Sequence, residues 1–275
     1  MDNDASLDGP SGRNQTARRP ATGHTRVVAL AGMALAVPLM AVLGAVCAVI
    51  PGLPWWLGLP LGAAAATAFI AYRLGNAYSA LLGALHAEPA DADEYVRFHN
   101  LVQGLSLAGG VSEPELYVVA DPARNAAAVA RGAQSAIVAT SGLLAALDRI
   151  SLEAIVAETL VRIGSGDAEA ATVGAALFGP LLHGPLRAAA VFGLRRLLAD
   201  DRDLLADRAA VALTRYPPGL SLAFSTIQSG AVRVASVADE LEHMWLVPPA
   251  AVDPSAAVPV TAPPLSLRID VLGEL

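Results

Sequence analysis

The sequence predicts an α+β, mainly helical protein: an N-terminal hairpin of two transmembrane helices, then a folded domain with a small β-sheet. Three observations carry this. The 275 residues are 55% hydrophobic and only 16% charged, with mean hydropathy +0.51, whereas soluble globular chains carry about 25% charged residues. Two uncharged runs, residues 27–50 and 55–72, lie close together near the N-terminus. Beyond Arg73, short β-branched runs alternate with segments of helical spacing, and Gly and Pro punctuate both.

Residues 1–25 are polar and rich in Gly, Pro, Asp, Asn and Arg, with little to bury, and read as a disordered tail. The hairpin occupies 26–73. Its first run has 24 residues, enough to cross about 30 Å of hydrocarbon as a helix. Pro51-Gly52-Leu53-Pro54 breaks it, and the second run stops at Arg73. Arg18, Arg19 and Arg26 precede the first span, Arg73 follows the second, and the turn has no cation. The positive-inside tendency then puts both termini and the folded domain in the cytoplasm, with Trp55 and Trp56 at the far interface. A cleavable signal peptide is the alternative, but the first run is too long for a signal core and a second span follows it.

Residues 74–91 read as a linker helix continuing from the second span, interrupted at Glu88-Pro89-Ala90-Asp91, and 92–275 as the folded domain. Tyr95, Phe98, Val102 and Leu105 share one face of a helix over 93–107 that ends at Gly109-Gly110. Residues 116–119 and 136–140 read as strands, and Ser141-Gly142 turns into a helix. Ser151 is positioned to cap the next helix, with Glu153 in its first turn, and that helix stops at Gly164-Ser165-Gly166. The uncharged stretch 170–186, broken by Gly179-Pro180 and Gly184-Pro185, is either a buried core segment or a hairpin dipping into the membrane face. Helices are expected over 200–214, 220–228 and 265–275, with an irregular loop at 247–264.

Charge excludes one large class. Residues 74–275 carry 13 arginines against 22 acids, and an acidic domain without a basic stripe lacks the phosphate neutralisation that nucleic-acid binding needs. All 18 basic residues are arginine, a compositional bias and not a functional choice. The lone Cys47 sits in an apolar run as a small packing residue, so the fold needs no oxidising compartment. Ser141 and Ser165 lie near no His-Asp pair, which argues against a serine hydrolase.

Several segments, in order, resemble the HtpX and prenyl-CAAX family of membrane-anchored zinc peptidases, of the gluzincin type. Pro122-Ala123-Arg124-Asn125-Ala126 is similar to the family's P-x-x-N-A-F cleft strand, and Thr140-Ser141-Gly142-Leu143-Leu144 to its T-x-G-L-L segment. Arg202 with Asp203 to Asp207 resembles R-E-x-x-A-D. His243, Pro263-Pro264 and Arg268-Ile269 resemble the closing H-P-P…R-I element. The likeness covers about residues 92–275 and implies a gluzincin-like metallopeptidase domain, with zinc as the family's cofactor.

The catalytic helix departs from the pattern. Where the family reads A-H-E-x-x-H-I-x-x-G-D, this chain has Ala157, Glu158, Thr159, Arg162, Ile163, Gly166 and Asp167 in register without a gap. The first zinc histidine falls on Glu158, the general-base glutamate on Thr159, the second histidine on Arg162, and the third ligand on Asp203. Two histidines a turn apart hold the ion, and the glutamate takes a proton from its water. Here neither imidazole exists, and Arg162 sets a permanent cation where the ion would sit. The other histidines, His24, His86, His99, His183 and His243, include no pair three or four residues apart. Neither catalytic residues nor metal ligands are expected.

Glu158 and Arg162 stand i,i+4 with the acid first, the favourable order. If the family fold holds, Asp203 faces the same spot, so an Asp203–Arg162–Glu158 cluster is expected in place of the metal, against an ordinary solvated pair as the alternative. Asn125, Ala126 and Ala127 are expected to line a peptide cleft, Ala127 replacing the family's aromatic; Asp167 and Asp207 are expected to be structural, and His243 a hydrogen-bonded, partly buried side chain. The leading reading is a pseudopeptidase that regulates or scaffolds through a retained peptide-binding cleft. Its partners would be the lipid bilayer and membrane proteins or an active homologous peptidase. One alternative is an active enzyme with a metal held by Glu158 and Asp203. Another is a purely structural membrane protein.

Overall fold

The structure is a computed structural model and describes residues 42, 44–46, 58–182, 185–198, 201–252 and 262–275. The expected tail, nearly all of the first span and the turn at 51–54 lie outside these residues. The second expected span overlaps helix α1, Gly58–Gly75. Among the described residues no helix is long and apolar enough to cross a membrane.

The elements after α1 are α2 (Ala77–Ala84), β1 (Glu88–Pro89), α3 (Val96–Gly109), β2 (Glu115–Val119), β3 (Ala126–Arg131) and β4 (Gln134–Thr140). Then come α4 (Ser141–Ala146), α5 (Arg149–Ser165), α6 (Asp167–Phe178), α7 (Arg187–Leu197), α8 (Arg202–Thr214), α9 (Pro217–Gln228) and α10 (Leu265–Gly273). Short 3-10 turns occupy Gly179–Leu181, Asp239–Met244 and Pro249–Ala251. The domain is thus mainly helical around one small mixed sheet.

The sheet order is β1-β2-β4-β3, with β2 parallel to β4 and the outer pairs antiparallel. Successive strand residues point to opposite faces, and both faces are buried. Leu116, Val118, Ile137 and Ala139 pack with α3, α5 and α9, whereas Val119, Val129, Ala136 and Val138 pack with α2, α6 and α7. Burial on both sides explains why these strands read as unbroken apolar runs.

Several boundaries shift for local reasons. Asp148, not Ser151, caps α5: its carboxylate accepts a 2.7 Å hydrogen bond from the Ser151 backbone N–H. Gly166, left-handed at φ 83°, ends α5 and starts α6 without a loop. The linker helix does not run through; α1 and α2 are separate, and Tyr78, Leu81, Leu82 and Leu85 pack into the second apolar layer. Glu88-Pro89 is a short edge strand, not a bare interruption. Pro217 and Pro218 begin α9, because the first turn needs no proline N–H.

Of the uncharged stretch 170–186, the part in α6 is buried around nearly its whole surface, whereas Pro180, Pro185 and Leu186 are exposed and 183–184 lie outside the described residues. Gly142 lets two segments meet. A Cβ there would lie 2.1 Å from the Pro122 carbonyl oxygen, and the Gly142 N–H bonds the Asp121 carbonyl at 3.0 Å. That contact seats the start of α4 against the loop leading into β3.

Candidate functional site: a buried acid–arginine network

Helix α5 crosses the core, so its polar residues cannot reach water. Glu158 and Thr159 are fully buried, Arg162 is 6% exposed, and Asp203 on α8 is 3% exposed. The one-turn spacing brings the Arg162 Nε to 2.6 Å from Glu158 Oε1, and its Nη2 reaches Asp203 Oδ1 at 2.6 Å. The same guanidinium donates to Asp167 Oδ2 at 3.3 Å. Arg162 therefore joins α5, α6 and α8 at the point where the resemblance puts a metal.

The network extends beyond the residues the sequence singled out. Arg268 on α10 donates from Nε and Nη2 to the two oxygens of Asp207, at 2.8 and 2.6 Å, and from Nη1 to the Leu246 carbonyl at 2.9 Å. Its guanidinium sits 4.3 Å above the centre of the Phe224 ring and 3.6 Å from Glu158 Oε1. Arg202 approaches Asp203 at 3.8 Å and Asp167 at 3.6 Å, and donates to the His243 carbonyl at 2.9 Å. Among the described residues, Arg162, Arg202 and Arg268 thus face Glu158, Asp167, Asp203 and Asp207.

That balance leaves one carboxylate in excess, and the surplus proton affinity falls on Glu158. Burial pushes its carboxyl up to about 7, against the pull of Arg162 and Arg268. Among the described residues its buried Oε2 has no hydrogen-bond partner. Asp203 goes the other way: burial would raise it, but Arg162, then Arg202 and Arg268, hold it at about 2. His243 is buried, with its ring nitrogens 2.9 Å from the Glu240 carbonyl and 3.4 Å from that of Ala171. Burial first and Arg202 second lower its pKa to about 4, so the ring is neutral. Thr159 turns its hydroxyl back to the carbonyls of Ile155 and Val156.

The expected cleft residues are also internal. Asn125 is fully buried; its amide donates to the carbonyls of Val232 and Val247, and its oxygen accepts from the backbone N–H of Ala126 and Val247. Ala126 and Ala127 are buried, the Ala126 carbonyl accepts from Leu246 N–H at 2.7 Å, and Ala127 is bridged to Trp245. Farther along β3, the Ala130 N–H donates to the Thr172 hydroxyl at 3.1 Å. Peptide reaching this edge would have to displace Trp245 and Leu246.

Sequence reasoning placed Glu158, Arg162 and Asp203 together, and expected Asp167 and Asp207 to be structural. It missed Arg202 and Arg268 as members of the network. Arg268 was visible only as part of a closing motif, since its partner Asp207 is 61 residues away.

The donor set does not suit zinc. Among the described residues no group of three or more His, Cys, Asp or Glu is arranged to hold a metal ion. Glu158 and Asp203 share a guanidinium, which keeps its proton at any working pH, and the His243 ring is turned to backbone carbonyls.

The domain is helix-rich on a small mixed sheet, and α5 carries in register the residues that resemble the flanks of a gluzincin catalytic helix. The chain is 27% identical over 234 residues to the protease HtpX homolog of Dictyoglomus turgidum, covering 74% of this chain and 76% of that protein. It is 31% identical over 166 residues to the homolog from Dictyoglomus thermophilum, covering 49% and 55%. With that from Tropheryma whipplei it shares 29% over 210 residues, covering 65% and 72%. No family model and no solved structure matches the chain. The chain is thus similar, at 27–31% identity, to proteins named protease HtpX homolog.

Proposed function

We propose that this chain is a membrane-anchored, catalytically inactive HtpX-family protein with a regulatory or scaffolding role, its former metal position filled by an ion-paired core. One observation carries the reading: a single buried guanidinium bonds both Glu158 and Asp203 at 2.6 Å. A metallopeptidase needs a Lewis acid and a base for its water at this place. Arg162 is neither, and Thr159 stands where the base belongs. The uncharged runs at 27–50 and 55–72 support the anchor. The partners are membrane proteins, an active homologous peptidase among them. Any strand addition at Asn125, Ala126 and Ala127 requires Trp245 and Leu246 to swing away first.

The test is metal content of the detergent-purified full chain by mass spectrometry, beside a variant carrying Glu158→His, Thr159→Glu, Arg162→His and Asp203→Glu. The expected result is no zinc in the parent and near-stoichiometric zinc in the variant. Near-stoichiometric zinc in the parent, with casein cleavage that a chelator abolishes, overturns the proposal.

A further inference from the structure

Helix α7 has two unlike sides. Ala190, Leu194 and Leu197 are buried, with Leu194 against Gly174 and the Phe178 ring lying on Gly193. The other side carries exposed Arg187, Phe192, Arg195 and Arg196, with exposed Leu186 one residue ahead of the helix. Phe192 is 68% exposed, a large apolar surface to leave in water. From 170 to 198 the sequence has no acidic residue, although the whole chain is net −7. The local basic character is therefore set against the charge of the molecule.

Position adds a second observation. Helix α1 reaches the last turn of α6 through Arg73, whose Nε and Nη2 donate to the Ala176 carbonyl at 3.1 and 2.8 Å. Helix α7 meets the same turn through Phe178. The two helices thus rest on one end of α6, and α1 also leaves apolar side chains outside: Leu61, Phe69 and Tyr72 are exposed. An apolar helix and a basic, aromatic-bearing helix on one end of the domain match a bilayer and its interface. Arginine pairs with phosphate through its fork, and an aromatic ring settles between headgroups and acyl chains.

We propose that the outer face of α7 (Leu186, Arg187, Phe192, Arg195 and Arg196) docks on an anionic phospholipid surface, that of the bilayer into which α1 leads. The proposal rests on the membrane-anchored reading above, and deepens it by naming the lipid chemistry. Docking here sets the domain's tilt on the membrane, and so decides which of its other faces a partner can reach.

The experiment uses the full chain in nanodiscs, with Cys47→Ser and a single Ala188→Cys on the exposed side of α7 carrying an environment-sensitive fluorophore. Leu222→Cys, exposed on α9, is the reference position. Discs are phosphatidylcholine alone or mixed with phosphatidylglycerol, with and without doxyl-labelled lipid as quencher. The expected result is blue-shifted, lipid-quenched emission at position 188 in anionic discs, weaker in neutral ones, and absent at 222. Changing Arg187, Arg195 and Arg196 to Gln lowers the docked-to-undocked ratio on the order of 100-fold, from about tenfold or less per arginine near an anionic surface. Phe192→Ser weakens quenching in both disc types. A chain retained in anionic discs whose label at 188 behaves like that at 222 overturns the docking face and leaves the anchor standing. A chain that stays with neither disc overturns both. A shift without lipid quenching that grows with protein concentration assigns the face to a second copy of the chain, and overturns lipid docking.

Discussion

Replacing Arg162 with alanine is the perturbation that most directly probes the network. The guanidinium is 6% exposed and bonds Glu158 and Asp203 at 2.6 Å and Asp167 at 3.3 Å. Its loss leaves Glu158 with only the 3.6 Å approach of Arg268, and Asp203 with the 3.8 Å approach of Arg202. Neither is a good hydrogen bond. Breaking a buried pair by removing one partner costs about 3–5 kcal/mol. In a domain of roughly 200 residues each kcal/mol moves the melting point by about 2–4 °C, so a drop of about 6–20 °C is expected. The assay is thermal unfolding in detergent at neutral pH, followed by circular dichroism. Glu158→Gln placed on top of Arg162→Ala removes one stranded charge and recovers part of the loss. An Arg162→Ala melt that overlays the parent refutes the reasoning, because a guanidinium contributing nothing is a solvated one.

Other expectations follow from the same geometry. Arg268→Ala strands Asp207 and uncovers the Phe224 ring, and is expected to destabilise by about 3–5 kcal/mol in denaturant titration; a loss below about 1 kcal/mol contradicts the buried bidentate pair. Gly142→Ala forces a Cβ to within 2.1 Å of the Pro122 carbonyl, so the backbone must shift, with a loss of about 2–4 kcal/mol or failure to accumulate folded protein. Asn125→Ala orphans the Val232 carbonyl and both backbone groups of Val247, and is expected to cost about 2–4 kcal/mol and to speed proteolysis near 245–247. The pH dependence has a sign. Glu158 titrates near 7 in the fold against 4.5 unfolded, so its contribution to stability falls as pH rises from 4.5 through 7. His243, near 4 in the fold against 6.5 unfolded, loses stability as pH falls from 6.5 through 4. Glu158→Gln removes the first slope and leaves the second, so the variant gains stability relative to the parent as pH rises from 5 to 7; parallel pH curves for the two proteins would falsify the assignment.

The elements legible in the sequence are those in which period and punctuation agree. Phe98, Val102 and Leu105 with Gly109-Gly110 mark α3, and the apolar run before Thr140 marks β4. Strand β3 reads Ala-Ala-Ala-Val-Ala-Arg, a text with no β-branched majority, and becomes a strand because both its faces are covered. Helix α7 was missed because Gly193 and the absence of a capping side chain give no local signal; its buried stripe of Ala190, Leu194 and Leu197 is fixed by packing on α6. The site divides in the same way. Glu158 and Arg162 are local, one turn apart, and so were visible. Arg268 and Asp207 meet only because α10 folds back over α8 beside α9, and no spacing rule reports that. For Asn125 resemblance gives a position in the sequence, whereas its burial depends on where Trp245 and Leu246 return to the sheet.

The network also shows why Arg162 cannot be read alone. Around it stand Asp167 and Asp203, in the first turns of α6 and α8, and Glu158, with Asp207 further along α8 against Arg268. Without a cation the carboxylates would repel, and burial would force protons onto several of them. Arg162 supplies a positive charge from the very helix position where a metal ligand would stand, and Arg268 neutralises Asp207 from α10. The one acid left over, Glu158, is the one held near a pKa of 7. Glu158, Arg162 and Asp203 therefore form a single electrostatic unit. Restoring one histidine at Arg162 should fail to bind metal and should unfold the domain, whereas restoring the ligand set together replaces one cation with another.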